Sequence, residues 1–169
     1  MRNLDPAWIY ALTRAESAFI EDVRSPTGAL GLMQVMPTTG RLTAKRIGLK
    51  NYNTKKLQES NTNVRIGSAY LKQMYKSFNN NSVLATAAYN AGPTNVKRWL
   101  PKTHCEEPDV WIEKIPFTET RKYVRRIFFF ASVYEWRMER DITPVQERMS
   151  MIQPKKQIQA SKSCPVISS

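Results

Sequence analysis

The 169-residue chain has one histidine, His104, and only two cysteines, Cys105 and Cys164, set far apart. Whole classes of chemistry drop out at once: there is no zinc-ligand spacing, no Ser-His-Asp set and no redox C-x-x-C pair. Glycine is sparse too, with six residues, and none of them builds a phosphate-cradling loop. No apolar run reaches membrane length, no signal peptide stands before Pro6, and no stretch alternates apolar with polar residues long enough to argue for a sheet. Neither a metal nor a cofactor is implied. The cysteines are expected to be free, although a bridge between them would suit an oxidising compartment.

Charge of one sign is abundant instead. Lys and Arg number 26 against 14 Asp and Glu, a net charge of +12 that calls for an anionic partner or a solvated surface. Nucleic acid is the competing reading, since Arg121, Lys122, Arg125 and Arg126 cluster near the start of the last helix. No recognised nucleic-acid motif accompanies them, so the cluster reads as a solvated face.

Helical periodicity dominates the chain. Asp5 and Pro6 open a helix, Ile66, Tyr70, Met74 and Phe78 make a stripe after a cap at Asn61 or Thr62, and Thr54 caps a short turn. Leu84 to Ala88 is a small-residue helix stopped by Gly92-Pro93. Short helices follow over 96–100 and 110–115. The last long helix presents Val124, Ile127, Phe128, Ala131, Tyr134 and Met138. The fold class is therefore all-α, with one domain over residues 1–140. Residues 141–169 read as a polar tail, in which Met149 to Pro154 form at most an extended arm and the remainder is disordered.

One acid stands out against this pattern. Ile9, Leu12, Glu16 and Phe19 or Ile20 follow at helical spacing, which puts the Glu16 carboxyl on an apolar stripe. Desolvation there raises its pKa, and a carboxylic acid protonated near neutral pH can act as a general acid. Periodicity alone favours a surface glutamate at the edge of the core. A turn, Ser25-Pro26-Thr27-Gly28, and a glycine-punctuated loop bring polar atoms near, including Gln34 in the apolar run that ends at Met36. Glu21 and Asp22 read as residues of a solvated loop.

The segments E-S-A-F at 16–19, S-P-T-G-A-L-G-L-M-Q-V-M-P at 25–37, A-A-Y-N-A-G-P at 87–93 and I-P-F-T-E-T-R-K-Y-V at 115–124 occur in order. Together they resemble the catalytic domain of the soluble lytic murein transglycosylases, of the lysozyme-like superfamily, over about Pro6 to Arg140. The resemblance implies a lysozyme-like orthogonal helical bundle with a substrate cleft. It also implies an enzyme that cleaves the β-1,4 bond between N-acetylmuramic acid and N-acetylglucosamine in peptidoglycan and leaves a 1,6-anhydromuramic end. By position Glu16 matches the family's single catalytic acid, which protonates the glycosidic oxygen and then takes the proton of the C6 hydroxyl. The 2-acetamido group of the substrate replaces the second carboxylate of most glycosidases.

Other residues carry over one at a time. Ser25 matches a loop serine that holds the acetamido group or the carboxylate; turn chemistry alone makes it a turn former. Gln34 and Met36 match cleft-lining positions, with a locally satisfied amide and core filler as the plain readings. Tyr89 matches a tyrosine near the reaction centre and Asn90 a residue that shapes the cleft. Glu119 and Tyr123, four residues apart on one helical face, match substrate-binding positions, while Thr118 as N-cap with Glu119 in the first turn is explanation enough locally. The implied partner is the peptidoglycan glycan strand, with no nucleic acid, no membrane span and a monomeric state. The implied location is the periplasm or cell envelope. A lysozyme-type hydrolase and an inactive cationic wall-binding module are the alternatives.

Overall fold

The chain is described by a computed structural model over residues 4–160 and Cys164. Asp5 accepts a hydrogen bond from the Ala7 N–H at 3.1 Å and Pro6 occupies the first position, so α1 (Pro6–Ser17) begins where the capping signals place it. Its end differs from the expectation. Ala18 and Phe19 adopt left-handed backbone, at φ 53° and 66°, and the helix stops at Ser17. Phe19 and Ile20 are therefore exposed and do not extend the apolar stripe; Ala7, Trp8, Ala11 and Leu12 form it.

The other elements are α2 (Pro37–Arg46), a 3-10 helix (Thr54–Gln58), α3 (Ser60–Ser77), α4 (Ser82–Ala91), α5 (Pro93–Trp99), α6 (Pro108–Glu113), α7 (Thr118–Arg137), α8 (Val145–Arg148) and α9 (Lys155–Gln159). Among the described residues there is no strand, only isolated bridges, and the all-α reading stands. Three cap positions shift by one to three residues. Asn53, not Thr54, caps the 3-10 helix through the Lys56 N–H; Glu59 precedes α3; and Phe117 precedes α7, leaving Thr118 as its first residue.

Packing follows the apolar stripes. Helix α1 lies along α7, and α4 sits between α3 and α7. The side chains of Ala85, Ala87 and Ala88 are small enough for those neighbours to approach, and all three are buried. Trp8 of α1 donates its indole N–H to Thr86 at 3.1 Å, tying α1 to α4. The α3–α4 turn uses Asn79 and Asn80 with positive φ, and Asn81 caps α4 by accepting from the Leu84 N–H.

The segment after Arg140 corrects the expectation of a polar tail. Glu135, fully buried on α7, accepts from the Thr143 N–H at 2.7 Å and the Thr143 hydroxyl at 3.0 Å and pairs with Arg148. The chain then runs back across the α3–α4 turn, where Asn81 donates to the Ser150 and Met151 carbonyls and Ser82 to that of Arg148. Ile152 is buried in the core and exchanges two backbone hydrogen bonds with Glu106. Lys155–Gln159, expected to be disordered, forms α9. The cysteines are not free: Cys105 and Cys164 form a disulfide, which pins the end of this arm to the loop before α6. Residues 161–163 and 165–169 of the expected disordered end lie outside the described residues.

Burial raises the pKa of Glu135, but hydrogen bonds from Thr143 and Arg148 outweigh it and the net shift is downward. A lowered carboxyl pKa contributes stability above the unfolded value, and that contribution is lost as pH falls through the folded one. Glu135→Gln should therefore lower stability at pH 7 by about 3 kcal/mol, or about 8 °C in Tm, with the gap to the parent closing in melts recorded at increasingly acid pH.

Candidate active site

Glu16 occupies the last turn of α1, just before the left-handed break, and its carboxyl points toward α7. There the Tyr123 hydroxyl donates to Glu16 Oε1 at 2.6 Å. Tyr123 is buried, and the packing of α1 along α7 holds the two side chains together across 107 positions of sequence. The surroundings disfavour charge. Burial pushes the Glu16 pKa up from 4.5 to about 7, against the opposing effects of the Tyr123 hydrogen bond and the Arg126 charge, while Glu119 adds to the rise. At neutral pH the carboxyl is thus close to half protonated, the state a general acid requires.

Other sequence-identified residues fall into two groups. Tyr89 joins the centre: its ring lies 5.4 Å from that of Tyr70, its hydroxyl donates to the Met33 carbonyl at 2.8 Å, and burial, then the charge of Glu16, drives its own pKa well above the ordinary phenol value. Glu119 is exposed on the first turn of α7, one turn before Tyr123, and acts on Glu16 by charge. Asn90 accepts from the Thr120 hydroxyl at 2.7 Å, linking the end of α4 to α7.

The loop residues make local bonds. Ser25 accepts from the Ala29 N–H at 2.9 Å and bonds the Thr27 hydroxyl, which is the turn-former geometry. Gln34, at φ 45°, donates its amide to the Val23 and Gly31 carbonyls, so that amide is satisfied within the loop. Met36 is 39% exposed at the start of α2 and is not core filler. Glu21 and Asp22 are exposed beyond the break in α1, and the charges that act on Glu16 are those of Arg126 and Glu119.

Sequence reasoning missed Asn63. It is fully buried on α3, accepts from the Met33 N–H and donates to the carbonyls of Leu30 and Leu57. The available signal was its position three residues before Ile66, on the same apolar stripe. A cavity of about 620 Å³ lies at the opposite end of α1 from Glu16, between Asp5, Trp8, Tyr75 and Arg148. Among the described residues no group of three or more His, Cys, Asp and Glu could hold a metal, and no helix is long and apolar enough to cross a membrane.

Residues 1–112, which contain Glu16, the loop and Tyr89, match the family described as the transglycosylase SLT domain. The chain belongs to this family. It is 40% identical to the soluble lytic murein transglycosylase of Salmonella typhimurium over 79% of this chain and 21% of that protein. The Escherichia coli K12 soluble lytic murein transglycosylase is 38% identical over 81% of this chain and 22% of its own length. The structure of an inactive mutant of the lytic transglycosylase Slt from Pseudomonas aeruginosa superposes with a TM-score of 0.81 at 44% identity, covering 86% of this chain and 24% of that one. The 70 kDa soluble lytic transglycosylase of E. coli gives 0.77 at 35% identity, over 88% and 24%. The chain thus spans between a fifth and a quarter of the length of these SLT relatives, and its helical fold is the lysozyme-like one.

Because the Tyr123 hydroxyl stabilises the ionised carboxylate, Tyr123→Phe should raise the Glu16 pKa, read as a higher titration midpoint of its carboxyl by ¹³C NMR. The same burial has a stability signature of opposite sign to that of Glu135. With the folded pKa above the unfolded one, the parent loses stability as pH rises from 4.5 to about 7. Glu16→Gln should match the parent below that window and exceed it by up to about 3 kcal/mol above it, measured by thermal melts across pH.

Proposed function

We propose that this chain is the catalytic unit of a lytic transglycosylase acting on peptidoglycan, carried by residues up to Arg140 and braced by the arm that follows. The observation that supports it is a single carboxyl, Glu16, raised to about 7 by burial and hydrogen-bonded by the Tyr123 hydroxyl. In the proposed reaction Glu16 donates its proton to the oxygen of the β-1,4 bond between N-acetylmuramic acid and N-acetylglucosamine, and the C1–O bond breaks. The neighbouring 2-acetamido group shares the positive charge at C1. Glu16, now a carboxylate, takes the proton of the C6 hydroxyl as that oxygen bonds C1, which closes the 1,6-anhydro ring and restores the acid. No water enters the products.

Tyr123 positions the Glu16 carboxyl through its hydrogen bond, and Glu119, exposed on the same face of α7, stands where it can bind sugar hydroxyls. Tyr89 and Asn90 shape the wall of the site from α4. Ser25, Gln34 and Met36 contribute through the loop, with Met36 the exposed apolar contact for a sugar ring. The relatives support this reading: two are named soluble lytic murein transglycosylases, and the Pseudomonas protein was inactivated by one glutamate-to-glutamine exchange. The charge of +12 suits a polymer whose stem peptides bear carboxylates, and the place of action is the periplasm or cell envelope.

A lysozyme-type hydrolysis is favoured by one observation, the carboxylate of Glu119 within electrostatic reach of Glu16. Mass spectrometry of digested sacculi separates the two, since an anhydro end is lighter than a reducing end by one water. Anhydro ends are expected, and exclusively reducing ends would overturn the transglycosylase assignment. Glu16→Gln should reduce strand cleavage by at least about a hundredfold, the lower bound for a lost general acid, and an unaltered rate would remove Glu16 from the mechanism.

A further inference from the structure

The basic cluster at the start of the last helix continues along it. On α7, Lys122, Arg126, Phe129, Val133 and Trp136 follow at steps of four and three, and Arg137 stands four beyond Val133, so the six share one helical stripe. That stripe is the side turned to solvent. Lys122, Arg126, Phe129, Trp136 and Arg137 are exposed and Val133 is half-buried, whereas Tyr123, Val124, Ile127, Phe128 and Ala131 face the core.

Two observations separate this stripe from an ordinary solvated face. Among the described residues Trp136 and Phe129 are the most exposed of the large apolar side chains, at 67% and 64%. Two turns of helix, about 10 Å, lie between them, with Val133 in the gap. Single exposed apolar side chains are ordinary, but a contiguous ridge of them marks an interaction surface. The ridge is also framed by charge of one sign. Lys122 and Arg126 precede it, Arg137 follows it, and none of the three forms an ion pair among the described residues. Arg125 and Arg140, near its two ends, are already paired with Glu113 and Asp5. Residues 120–134 contain no Asp or Glu.

Shape and charge together select the occupant. A small ligand or a single sugar strand is held by a concave site that surrounds it, and here the side chains project from the convex face of one helix. A second copy of the chain would bring the same three cations against one another across a two-fold interface. An anionic lipid surface answers both features. Its headgroups pair with the cations at either end, and the acyl boundary takes the aromatic rings, with the indole N–H of Trp136 left at headgroup level.

We propose that the outward stripe of α7 is a docking surface for an anionic phospholipid membrane, on which the protein lies peripherally with Phe129 and Trp136 at the headgroup boundary. No helix among the described residues is long and apolar enough to cross a membrane, so α7 lies in the plane of the surface. Tyr123 is on the side of α7 that packs against α1, where its hydroxyl meets Glu16. The apolar ridge therefore uses no residue of the candidate active site, and the docking does not depend on the chemistry assigned there.

The test is co-sedimentation of the full chain with large unilamellar vesicles. Binding is expected to vesicles that contain phosphatidylglycerol and not to phosphatidylcholine alone, and it should weaken as salt rises. Phe129→Ser combined with Trp136→Ser should lower the partition coefficient by about tenfold or more, with a melting temperature within about 3 °C of the parent. Lys122→Gln combined with Arg137→Gln should weaken binding at low salt and flatten its salt dependence. Trp136 fluorescence, taken as the difference between the parent and Trp136→Phe, gives a reading that needs no serine variant to fold. On phosphatidylglycerol vesicles it should shift to the blue and be quenched by brominated lipid. Absence of binding to anionic vesicles overturns the proposal, as does an unshifted Trp136 signal. Binding that the serine pair leaves unchanged also overturns it, since the net charge of +12 would then be the whole cause. If the serine pair instead abolished binding to sacculi or self-association while vesicle binding stayed intact, the ridge would belong to a glycan strand or to a second copy, and the proposal would fall.

Discussion

The contact between the Tyr123 hydroxyl and the Glu16 carboxyl is the interaction on which the candidate site depends. A carboxyl in apolar surroundings favours its neutral form, and a lone hydrogen-bond donor is enough to fix its direction without forcing ionisation. Everything that sets this contact is helical packing. The cap at Asp5 starts α1, the left-handed pair Ala18–Phe19 ends it at Ser17, one residue beyond Glu16, and the long α7 carries Tyr123 past that end.

Around the contact the protein places groups that oppose one another in small steps. Arg126 and the Tyr123 hydrogen bond draw the Glu16 pKa down, while burial and Glu119 draw it up, and burial prevails. The outcome is an acid that can both give and retrieve a proton near neutral pH. A second carboxylate at closer range would have made one of the two steps costly, through like-charge repulsion that holds one proton too firmly. A carboxyl placed in full solvent would have given the proton away in advance.

The loop over residues 29–35 shows how backbone is made rigid beside such a centre. It is held from α3 by Asn63, from α4 by Tyr89 and internally by the Gln34 amide, and two glycines allow the close approach. On the far side of the molecule, Glu135, Arg148 and Asn81 bind the returning arm with the same economy: one buried polar side chain serves several backbone groups. In both places the polar residue is fully committed, which is the condition under which burying it is tolerated.

The sequence by itself determined the helical fold class, the start of α1, the stripes of α3 and α7, and the identity of Glu16 as the acid worth attention. These are local properties: caps, periodicity and the exclusion of charge from an apolar stripe act within a few residues. Four ordered motifs then carried the family. What only the tertiary structure decided depends on groups far apart in the chain. The Tyr123–Glu16 bond, the commitment of Tyr89 to Met33, the Asn63 anchor, the burial of Ile152 and the Cys105–Cys164 bridge each join segments that no periodic pattern connects. The polar composition after Arg140 reads as solvated tail, yet its Thr143, Arg148, Ser150 and Met151 groups are bonded by Glu135, Asn81 and Ser82. Hydrogen-bond satisfaction is a property of the folded surroundings, so composition could not foretell it.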